Sequence, residues 1–217
     1  MNFTAPRAIC FDLDGTLVDS VADLTVACNL MLRERGLAPL REETVRGYIG
    51  DGARMLVARA LGESPTEVDG ALLRFRDIYA DHLLDHTKTY PGVKDTLRVL
   101  QARGIRMGVV SNKPDEFTTK VVAGVGLAQY FDAIVGARRG VPVKPAPDLL
   151  QLVLDELKVD AKEAWMVGDS KNDVRAAHAV GCVSIALAYG IGDVQDLRAA
   201  NPDVLLDSFA ELIELLV

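Results

Sequence analysis

Residues 8–17 of the chain read AICFDLDGTL, an apolar run that ends abruptly in two carboxylates. The apolar part, Ala8 to Phe11, is typical of a buried β-strand, because charges left unpaired near a core are costly. Asp12 and Asp14 are two residues apart, which places their carboxylates together at the end of the strand, where open α/β sheets bind ligands. Clustered carboxylates favour a hard divalent cation. This stretch therefore predicts a magnesium site suited to phosphate chemistry.

The composition is ordinary for a soluble globular protein: the 217 residues are 49% hydrophobic and 25% charged. This length can bury a sizeable core, either as one domain or as a domain that carries an inserted subdomain. The formal net charge of −7 argues against nucleic acid or an anionic membrane as the main partner. A small anionic substrate stays compatible with this charge, because a bound cation inverts the local field.

Features of targeting and redox chemistry point to a cytoplasmic protein. The sequence offers no apolar stretch of 18 residues to span a bilayer, so we expect no membrane partner. Its first residues, MNFTAPRAIC, lack the charged start and long apolar region of a secretory signal. The cysteines Cys10, Cys28 and Cys182 lie in apolar surroundings, which is typical of buried reduced thiols.

Apolar strand-like runs alternate with amphipathic helical stretches over most of the chain. This alternation predicts an α/β fold, a doubly wound parallel sheet with a Rossmann-like core. The predicted strands are Arg7–Asp12, Arg106–Ser111, Ala133–Gly136, Ala164–Asp169, Val183–Ala186 and Val204–Leu206. The predicted helices are Val93–Arg103, Asp115–Gly124, Pro147–Leu157, Lys171–Val180 and Phe209–Leu216.

The segment between Leu17 and Thr89 shows helical periodicity and no good strand. Roughly 70 residues are more than a βαβ crossover needs. We therefore predict that residues 19–87 are an α-helical cap inserted between the first and second core strands, and that residues 1–18 and 88–217 form the α/β catalytic core. The linkers are expected near Asp19 and Thr89–Gly92. Residues 20–23, Ser-Val-Ala-Asp, resemble a capping box that opens the first inserted helix.

Four short polar clusters lie at or beside the predicted carboxyl ends of strands, and each is a weak signal by itself. They are Asp12-Leu13-Asp14-Gly15-Thr16, Ser111-Asn112, Lys144-Pro145 and Gly168-Asp169-Ser170-Lys171-Asn172-Asp173. Together and in this order they strongly resemble the four motifs of the haloacid dehalogenase superfamily of aspartate-nucleophile phosphohydrolases. The resemblance covers essentially the whole chain.

The resemblance implies a role for each of the acidic residues. Asp12 is expected to be the nucleophile that forms an aspartyl-phosphate, since an ionised carboxylate needs no base. Asp14 is expected to protonate the leaving alkoxide and then to activate water as a base. Mg²⁺ is expected on the Asp12 carboxylate, the Asp14 backbone carbonyl and the Asp169 carboxylate, and Asp173 would support this metal site from beside it.

The remaining motif residues are expected to bind the phosphoryl group. Ser111 and the backbone amide of Asn112 would hydrogen-bond a phosphoryl oxygen, and Lys144 would offset the negative charge shared by nucleophile and phosphate. Gly15 would let backbone amides approach the phosphate closely, with Thr16 beside it.

Several of these residues have purely structural alternatives. Thr16 is also a common turn or cap residue, and Asp173 is also a typical acid in the first turn of a helix. Ser111 and Asn112 are alternative caps for the helix that follows Pro114. Lys144 is alternatively a surface lysine, and less favoured replacements for it are Lys113, Arg138 and Arg139.

Asp14 also distinguishes dehalogenases from phosphatases within the superfamily, because dehalogenases lack an acid at this position. The resemblance therefore favours hydrolysis of phosphate esters. The insertion resembles the family's mobile cap, which closes over small substrates. Its segment Tyr48–Leu56, YIGDGARML, resembles the glycine-rich loop of phosphoglycolate phosphatases. Gly50 and Gly52 would offer backbone amides to a small anion, and Arg54 would pair with a carboxylate or else face solvent.

The resulting expectation is a Mg²⁺-dependent phosphatase, most similar to phosphoglycolate phosphatase, that acts on a small-molecule phosphate ester such as 2-phosphoglycolate. Alternatives within the superfamily are a sugar phosphate, including N-acetylmuramic acid 6-phosphate, and pyrophosphate. A phospho-accepting receiver module is the alternative from another class. Receivers are single compact domains of roughly 120 residues, so the helical insertion argues against one. The sequence is compatible with a monomer or a homodimer.

Overall fold

The computed structural model describes residues 5–216. Its strands, in chain order, are β1 (Ala8–Phe11), β2 (Val18–Asp19), β3 (Lys88–Thr89), β4 (Arg106–Pro114), β5 (Ala133–Ala137), β6 (Ala164–Gly168), β7 (Val183–Leu187) and β8 (Val204–Leu206). Its α-helices are α1 (Val21–Glu34), α2 (Glu42–Arg46), α3 (Ala53–Leu61), α4 (Asp69–Asp81), α5 (Val93–Ala102), α6 (Asp115–Gly124), α7 (Asp148–Leu157), α8 (Lys171–Val180) and α9 (Val194–Ala199). Short 3₁₀ helices are Ala128–Tyr130, Ala161–Glu163 and Phe209–Leu216.

The central sheet has six strands in the order β5-β4-β1-β6-β7-β8, and all neighbouring strands in it run parallel. The chain winds outward from β1 in both directions, which confirms the predicted doubly wound α/β fold. Phe11 at the end of β1 lies opposite Val109 of β4 and Val167 of β6. The carboxyl ends of these three strands therefore lie side by side, where such sheets bind ligands.

The core strands and helices agree with the predictions to within a residue or two, apart from two segments. β4 continues through Asn112 and Lys113 to Pro114, with a register shift against β5 after Val110. Residues 209–216 form a 3₁₀ helix, not the predicted α-helix. The prediction also omitted α9, a single short helix with one fully buried side chain, which gives little periodicity to detect.

The helical insertion is joined to the core through a two-stranded antiparallel ribbon. In it Val18 pairs with Thr89 and Asp19 pairs with Lys88. The sequence shows no good strand between Leu17 and Thr89, and it does not reveal these two short strands. Each has only two residues, which is too few for a periodic pattern. Helices α1 to α4 lie between β2 and β3, and α1 packs against α2, α3 and α4.

The predicted capping box at the start of α1 does not form. Ser20 makes no side-chain cap bond, and its hydroxyl instead donates to Asp14 at 2.6 Å. Asp23 accepts hydrogen bonds from the backbone amides of His86 and Thr87 at 2.8–3.1 Å. Ser20 thus bonds back to the end of β1 and Asp23 joins a distant segment, because these partners compete successfully with the local cap.

The core lies on both faces of the sheet. β1 is fully buried, with Ile9 and Phe11 facing one apolar cluster and Ala8 and Cys10 facing the other. The first cluster continues into the insertion, so the helices there share apolar contacts with the α/β core. The cysteines are buried and unpaired in disulfides. Within residues 5–216, the helices are too short or too polar to cross a membrane.

Candidate active site

Two carboxylates stand at the end of the central strand. Asp12 and Asp14 flank Leu13, whose side chain is fully buried in the core. Because alternate residues of an extended segment face opposite sides, burial of Leu13 directs both aspartates away from the core. Their side chains are only 13% and 12% exposed. Partly buried carboxylates of this kind need partners, and the two acquire different ones.

The turn after the strand needs glycine at position 15. Gly15 has φ = +93°, and its amide donates to the Val18 carbonyl at 2.9 Å. A Cβ atom at this position would lie 2.1 Å from an oxygen of Asp169. Gly190 and Gly168 leave comparable space, since a Cβ there would meet Asp169 or Asp173 at 2.2 Å. Glycines therefore create the room in which the acidic side chains gather.

Three carboxylates form a cluster at this edge of the sheet. Asp12, Asp169 and Asp173 each offer one oxygen within 4.8 Å of the others. Asp169 directly follows β6, while Asp173 lies in the first turn of α8 and makes a capping box with Ser170. The carboxylate of Asp14 is not part of this cluster.

Asp169 is held in place by three donors. One of its oxygens accepts from the backbone amides of Ile191 and Gly192 at 2.7 and 3.0 Å. The other accepts from the buried hydroxyl of Thr16 at 3.1 Å. Thr16 thus uses its side chain on Asp169. The 190–192 loop lies beyond the four sequence motifs, and sequence reasoning missed it.

Lys144 lies at the centre of the negative charge, in the loop between β5 and α7. Its ammonium is 2.9 Å from Asp12 and 2.6 Å from Asp173, and it donates to the Val110 carbonyl at 2.7 Å. Burial acts to lower the pKa of Lys144, but the two carboxylates outweigh it and hold the pKa above its usual range. A charged ammonium therefore sits between the strand end and α8.

The cluster suits a divalent cation on its donor chemistry. Burial raises the pKa of Asp12 to about 7 against the influence of Lys144, and repulsion from Asp173 and Asp169 adds to the rise. Burial, followed by repulsion from Asp173, raises the pKa of Asp169 to about 6. Crowded buried carboxylates have an electrostatic cost that a hard cation with oxygen ligands would remove. The residues present therefore fit such an ion.

Asp14 has a separate set of partners. The Lys113 ammonium contacts both of its oxygens at 2.9 and 3.0 Å, and Ser20 donates to one of them at 2.6 Å. The side chain of Lys113 is 3% exposed. Burial acts to lower the pKa of Lys113, but Asp14 outweighs it and raises the pKa above the usual range. Sequence reasoning considered Lys113 only as a stand-in for Lys144, although its place directly after Ser111-Asn112 was a usable signal.

Ser111 and Asn112 lie within β4 and do not cap α6, whose first turn follows Pro114. Ser111 is buried beside the two aspartates. The Asn112 side chain donates to the carbonyls of Lys144 and Gly50 at 2.8 and 2.9 Å and accepts from the Lys144 amide at 2.9 Å. Asn112 therefore connects β4, the lysine loop and the insertion.

The glycine-rich loop of the insertion reaches the core. Besides the contact of Gly50, Asp51 accepts a hydrogen bond from Asn172 of α8 at 2.8 Å. A Cβ atom on Gly52, at φ = +87°, would lie 3.3 Å from the Asn112 carbonyl. The sequence motif placed Asn172 beside Asp169 but gave it no role.

The structure does not bring Arg54 to the carboxylates. Its guanidinium donates to Asp69 at 2.6 Å and to the Pro65 carbonyl at 2.7 Å, and its side chain is 46% exposed. This agrees with the solvent-facing alternative of the sequence interpretation, and the arginine connects the start of α3 with the start of α4.

A cavity of about 50 Å³ lies between the insertion and the carboxyl end of β1. Its polar lining comes from the strand ends and the glycine-rich loop, and its apolar lining comes from the insertion and α6. The lining residues are Asp12, Asp14, Leu24, Ile49, Gly50, Gly52, Ala53, Leu56, Phe75, Tyr79, Ser111, Asn112, Lys113, Pro114 and Phe117.

The fold and this arrangement of aspartates and lysines define a phosphohydrolase-type site, and comparison with known proteins identifies the family. Residues 9–187 match the family model described as haloacid dehalogenase-like hydrolase, and the chain belongs to that family. It is a phosphoric monoester hydrolase.

Within this family, the chain is similar over its full length to phosphoglycolate phosphatases. The chain is 41% identical to phosphoglycolate phosphatase of Vibrio parahaemolyticus, over 96% of this chain and 95% of that protein. It is 40% identical to phosphoglycolate phosphatase of Chromobacterium violaceum, over 100% of this chain and 99% of that protein.

Solved structures show the same fold. A protein described as a predicted phosphoglycolate phosphatase from Haemophilus somnus superposes with a TM-score of 0.89 at 31% identity, over 98% of both chains. CbbY of Rhodobacter sphaeroides, crystallised in complex with phosphate, superposes with a TM-score of 0.81 at 26% identity, over 95% of this chain and 96% of that one.

Proposed function

We propose that this enzyme hydrolyses 2-phosphoglycolate to glycolate and phosphate through a phosphorylated Asp12, with Mg²⁺ as its cofactor. The observation that carries this proposal is the division of partners between the two aspartates at the end of β1. Asp12 contacts Lys144 and lies with Asp169 and Asp173, whereas Asp14 contacts Lys113.

In the first half-reaction an oxygen of the Asp12 carboxylate attacks phosphorus, and the bond between phosphorus and the ester oxygen breaks. Lys144, 2.9 Å from Asp12, offsets the negative charge that the nucleophile and phosphoryl group share. Asp14 carries a proton in this step and donates it to the departing glycolate oxygen. Ser111 and the Asn112 amide are assigned to the phosphoryl oxygens, supported by their position in the lining of the cavity.

In the second half-reaction Asp14, now ionised, removes a proton from water as the water oxygen attacks phosphorus. The bond between phosphorus and Asp12 breaks, which releases phosphate and restores the nucleophile. Lys113 and Ser20 hold Asp14 for this proton transfer with contacts of 2.6–3.0 Å. Fixed geometry matters because proton transfer requires hydrogen-bond reach between the groups.

The residues that would hold Mg²⁺ are the Asp12 and Asp169 carboxylates and the Asp14 backbone carbonyl, with Asp173 as support. When bound, the ion supplies charge neutralisation and orientation for the phosphoryl oxygens. Thr16 and the backbone of the 190–192 loop keep Asp169 directed toward the cluster.

The size and chemistry of the cavity support a small acid as the substrate. The cavity of about 50 Å³ beside the aspartates favours a small substrate. The names of the relatives from Vibrio and Chromobacterium point the same way. We assign residues 19–87 the role of a cap that excludes water during the reaction, as its contacts through Gly50 and Asp51 suggest.

A sugar phosphate is the second candidate substrate class. The observation in its favour is that a variant of CbbY, 26% identical to this chain, was crystallised in complex with xylulose-1,5-bisphosphate. Such a substrate would require the insertion to move away from the core before binding.

The decisive experiment measures phosphate release from 2-phosphoglycolate, hexose phosphates, N-acetylmuramic acid 6-phosphate and pyrophosphate, compared by kcat/KM. We expect a preference of about 100-fold or more for 2-phosphoglycolate. A higher kcat/KM for a hexose phosphate than for 2-phosphoglycolate would contradict the proposed substrate. In the same assay EDTA is expected to abolish turnover and added Mg²⁺ to restore it, and metal-independent turnover would contradict the cofactor assignment.

A further inference from the structure

The hydroxyl of Tyr79 is a polar group in the cavity wall that takes no part in the proposed mechanism. Tyr79 of α4 lines the cavity together with Asp12 and Asp14, and only 1% of the residue is exposed. Its hydroxyl is buried and has no hydrogen-bond partner in the part of the chain that the structure describes. Among the described residues it is the single buried side-chain donor or acceptor without one. An unsatisfied buried hydroxyl is costly to a folded protein, so such a group calls for an explanation.

The ring of Tyr79 is held by aromatic neighbours from both parts of the molecule. Phe75 of α4 stacks on it with a centroid distance of 5.8 Å, and Phe117 of α6 packs edge-on at 5.4 Å. On α4 the buried positions Ala71, Phe75, Ile78 and Tyr79 recur at helical spacing, which directs them to one face. The hydroxyl therefore stands on a fixed ring, with little freedom to seek another partner.

The Tyr79 ring packs beside a buried ion pair, that of Lys113 with Asp14. The Lys113 ammonium lies 4.8 Å from the centre of the Tyr79 ring. Burial raises the pKa of Tyr79 to about 12, so its hydroxyl remains a donor at neutral pH. The nearby apolar walls from Leu24 and Leu56 exclude water, and a hydrogen bond is stronger where water does not compete.

We propose that the Tyr79 hydroxyl is a specificity-determining donor that binds the carboxylate of the substrate. This inference rests on the proposed function, because it concerns the part of 2-phosphoglycolate that does not react. A carboxylate only accepts hydrogen bonds and supplies the acceptor that the hydroxyl lacks. Esters without an acceptor at this position would leave the hydroxyl unsatisfied, and a site built around a polar contact rejects such analogues strongly.

The test compares wild-type enzyme and Tyr79→Phe on 2-phosphoglycolate and on ethyl phosphate, which carries a methyl group where the carboxylate stands. Loss of a hydrogen bond to a charged group is expected to lower kcat/KM for 2-phosphoglycolate about 10- to 100-fold. The kcat/KM for ethyl phosphate is expected to stay within about twofold, because this ester makes no such bond.

Tyr130→Phe is the matched control, since Tyr130 lies in the 3₁₀ helix Ala128–Tyr130 and outside the cavity lining. It should leave both esters unaffected. The thermal unfolding midpoint of the free enzyme gives a second readout. Tyr79→Phe should leave it unchanged or raise it, because the substitution removes an unsatisfied polar atom, whereas a structural hydroxyl would lower it on removal.

Comparison of the two esters tests the proposed substrate and the proposed role of Tyr79 separately. If the wild-type enzyme hydrolyses both esters equally well, 2-phosphoglycolate is not the substrate, and the role of Tyr79 is refuted with it. If the wild-type enzyme prefers 2-phosphoglycolate and Tyr79→Phe behaves like wild type, the Tyr79 assignment alone is overturned. An equal loss on both esters would also overturn it, by pointing to general damage of the site.

Discussion

Asp12 and Asp14 are two residues apart on one strand end, yet they face different electrostatic environments. Asp12 lies with two further carboxylates and shares the Lys144 ammonium with Asp173. Asp14 has the Lys113 ammonium and a serine hydroxyl to itself. The Asp12 side concentrates negative charge and suits a cation, whereas the Asp14 side is balanced within the protein. Neighbouring carboxylates thus acquire separate electrostatic environments from the segments packed around them.

The strongest test of this comparison is Asp12→Asn. We expect turnover of 2-phosphoglycolate to fall by about four orders of magnitude or more, because an amide cannot replace the attacking carboxylate oxygen. Phosphate release measures the loss, and circular dichroism checks the fold. Turnover within tenfold of wild type would contradict the assignment of the nucleophile.

Asp14→Asn should have a smaller effect that depends on the leaving group. We expect kcat for 2-phosphoglycolate to fall about 1000-fold, since an alkoxide needs a proton to leave. For p-nitrophenyl phosphate, whose leaving group is stable as an anion, the rate of the first half-reaction should fall much less. Pre-steady-state release of nitrophenol measures that step. Equal losses for both esters would argue against Asp14 as the acid.

The stabilisation of the fold by Mg²⁺ should depend on the carboxylates around Asp12 and not on the side chain of Asp14. At a Mg²⁺ concentration of 100 times Kd, binding is expected to stabilise the wild-type fold by about 2.7 kcal/mol. Asp169→Asn should remove most of this gain, because it withdraws a ligand from the cluster. Asp14→Asn should keep it, because the side chain of Asp14 lies outside the cluster. Thermal unfolding with and without Mg²⁺ measures both, and a lost gain in Asp14→Asn would merge the two sides into one metal site.

The smallest expected effect concerns the contact between the insertion and the core. Asn172→Ala removes the hydrogen bond to Asp51 and should raise KM about 2- to 5-fold, consistent with one neutral-to-charged bond at a partly exposed site. Lys171→Met is the control in the same helical turn, because the ion pair of Lys171 with Asp196 is exposed and Lys171 makes no hydrogen bond to Asp51 among the described residues. Equal KM values for both variants and wild type would show that this contact does not contribute to closure.

Much of the fold was predictable because buried parallel strands are continuous apolar runs. β1 and β6 were found this way, each with an aspartate directly after its last residue. The chain also belongs to the family that the ordered motifs indicated. The two-residue strands β2 and β3 were missed, because segments this short carry no periodicity.

Local patterns failed where a distant partner was stronger. Ser20 and Asp23 match a capping box, but Ser20 bonds Asp14 and Asp23 accepts from residues 86 and 87. For Arg54 the sequence left a substrate carboxylate and solvent as alternatives, and the structure pairs its exposed side chain with Asp69. In each case the side chain type was interpreted correctly as needing a partner, and the partner was out of reach of sequence reasoning.

By itself the sequence determined that acidic and polar groups follow the carboxyl ends of buried parallel strands, because apolar runs mark the strands and the motif residues come directly after them. Only the tertiary structure decided which lysine serves which aspartate. Lys113 reaches Asp14 because β4 continues past Ser111, and Lys144 reaches Asp12 from a loop. The tertiary structure also placed Tyr79 against the same cavity from a helix of the insertion. Such pairings depend on distances between segments far apart in the chain, which no local pattern encodes.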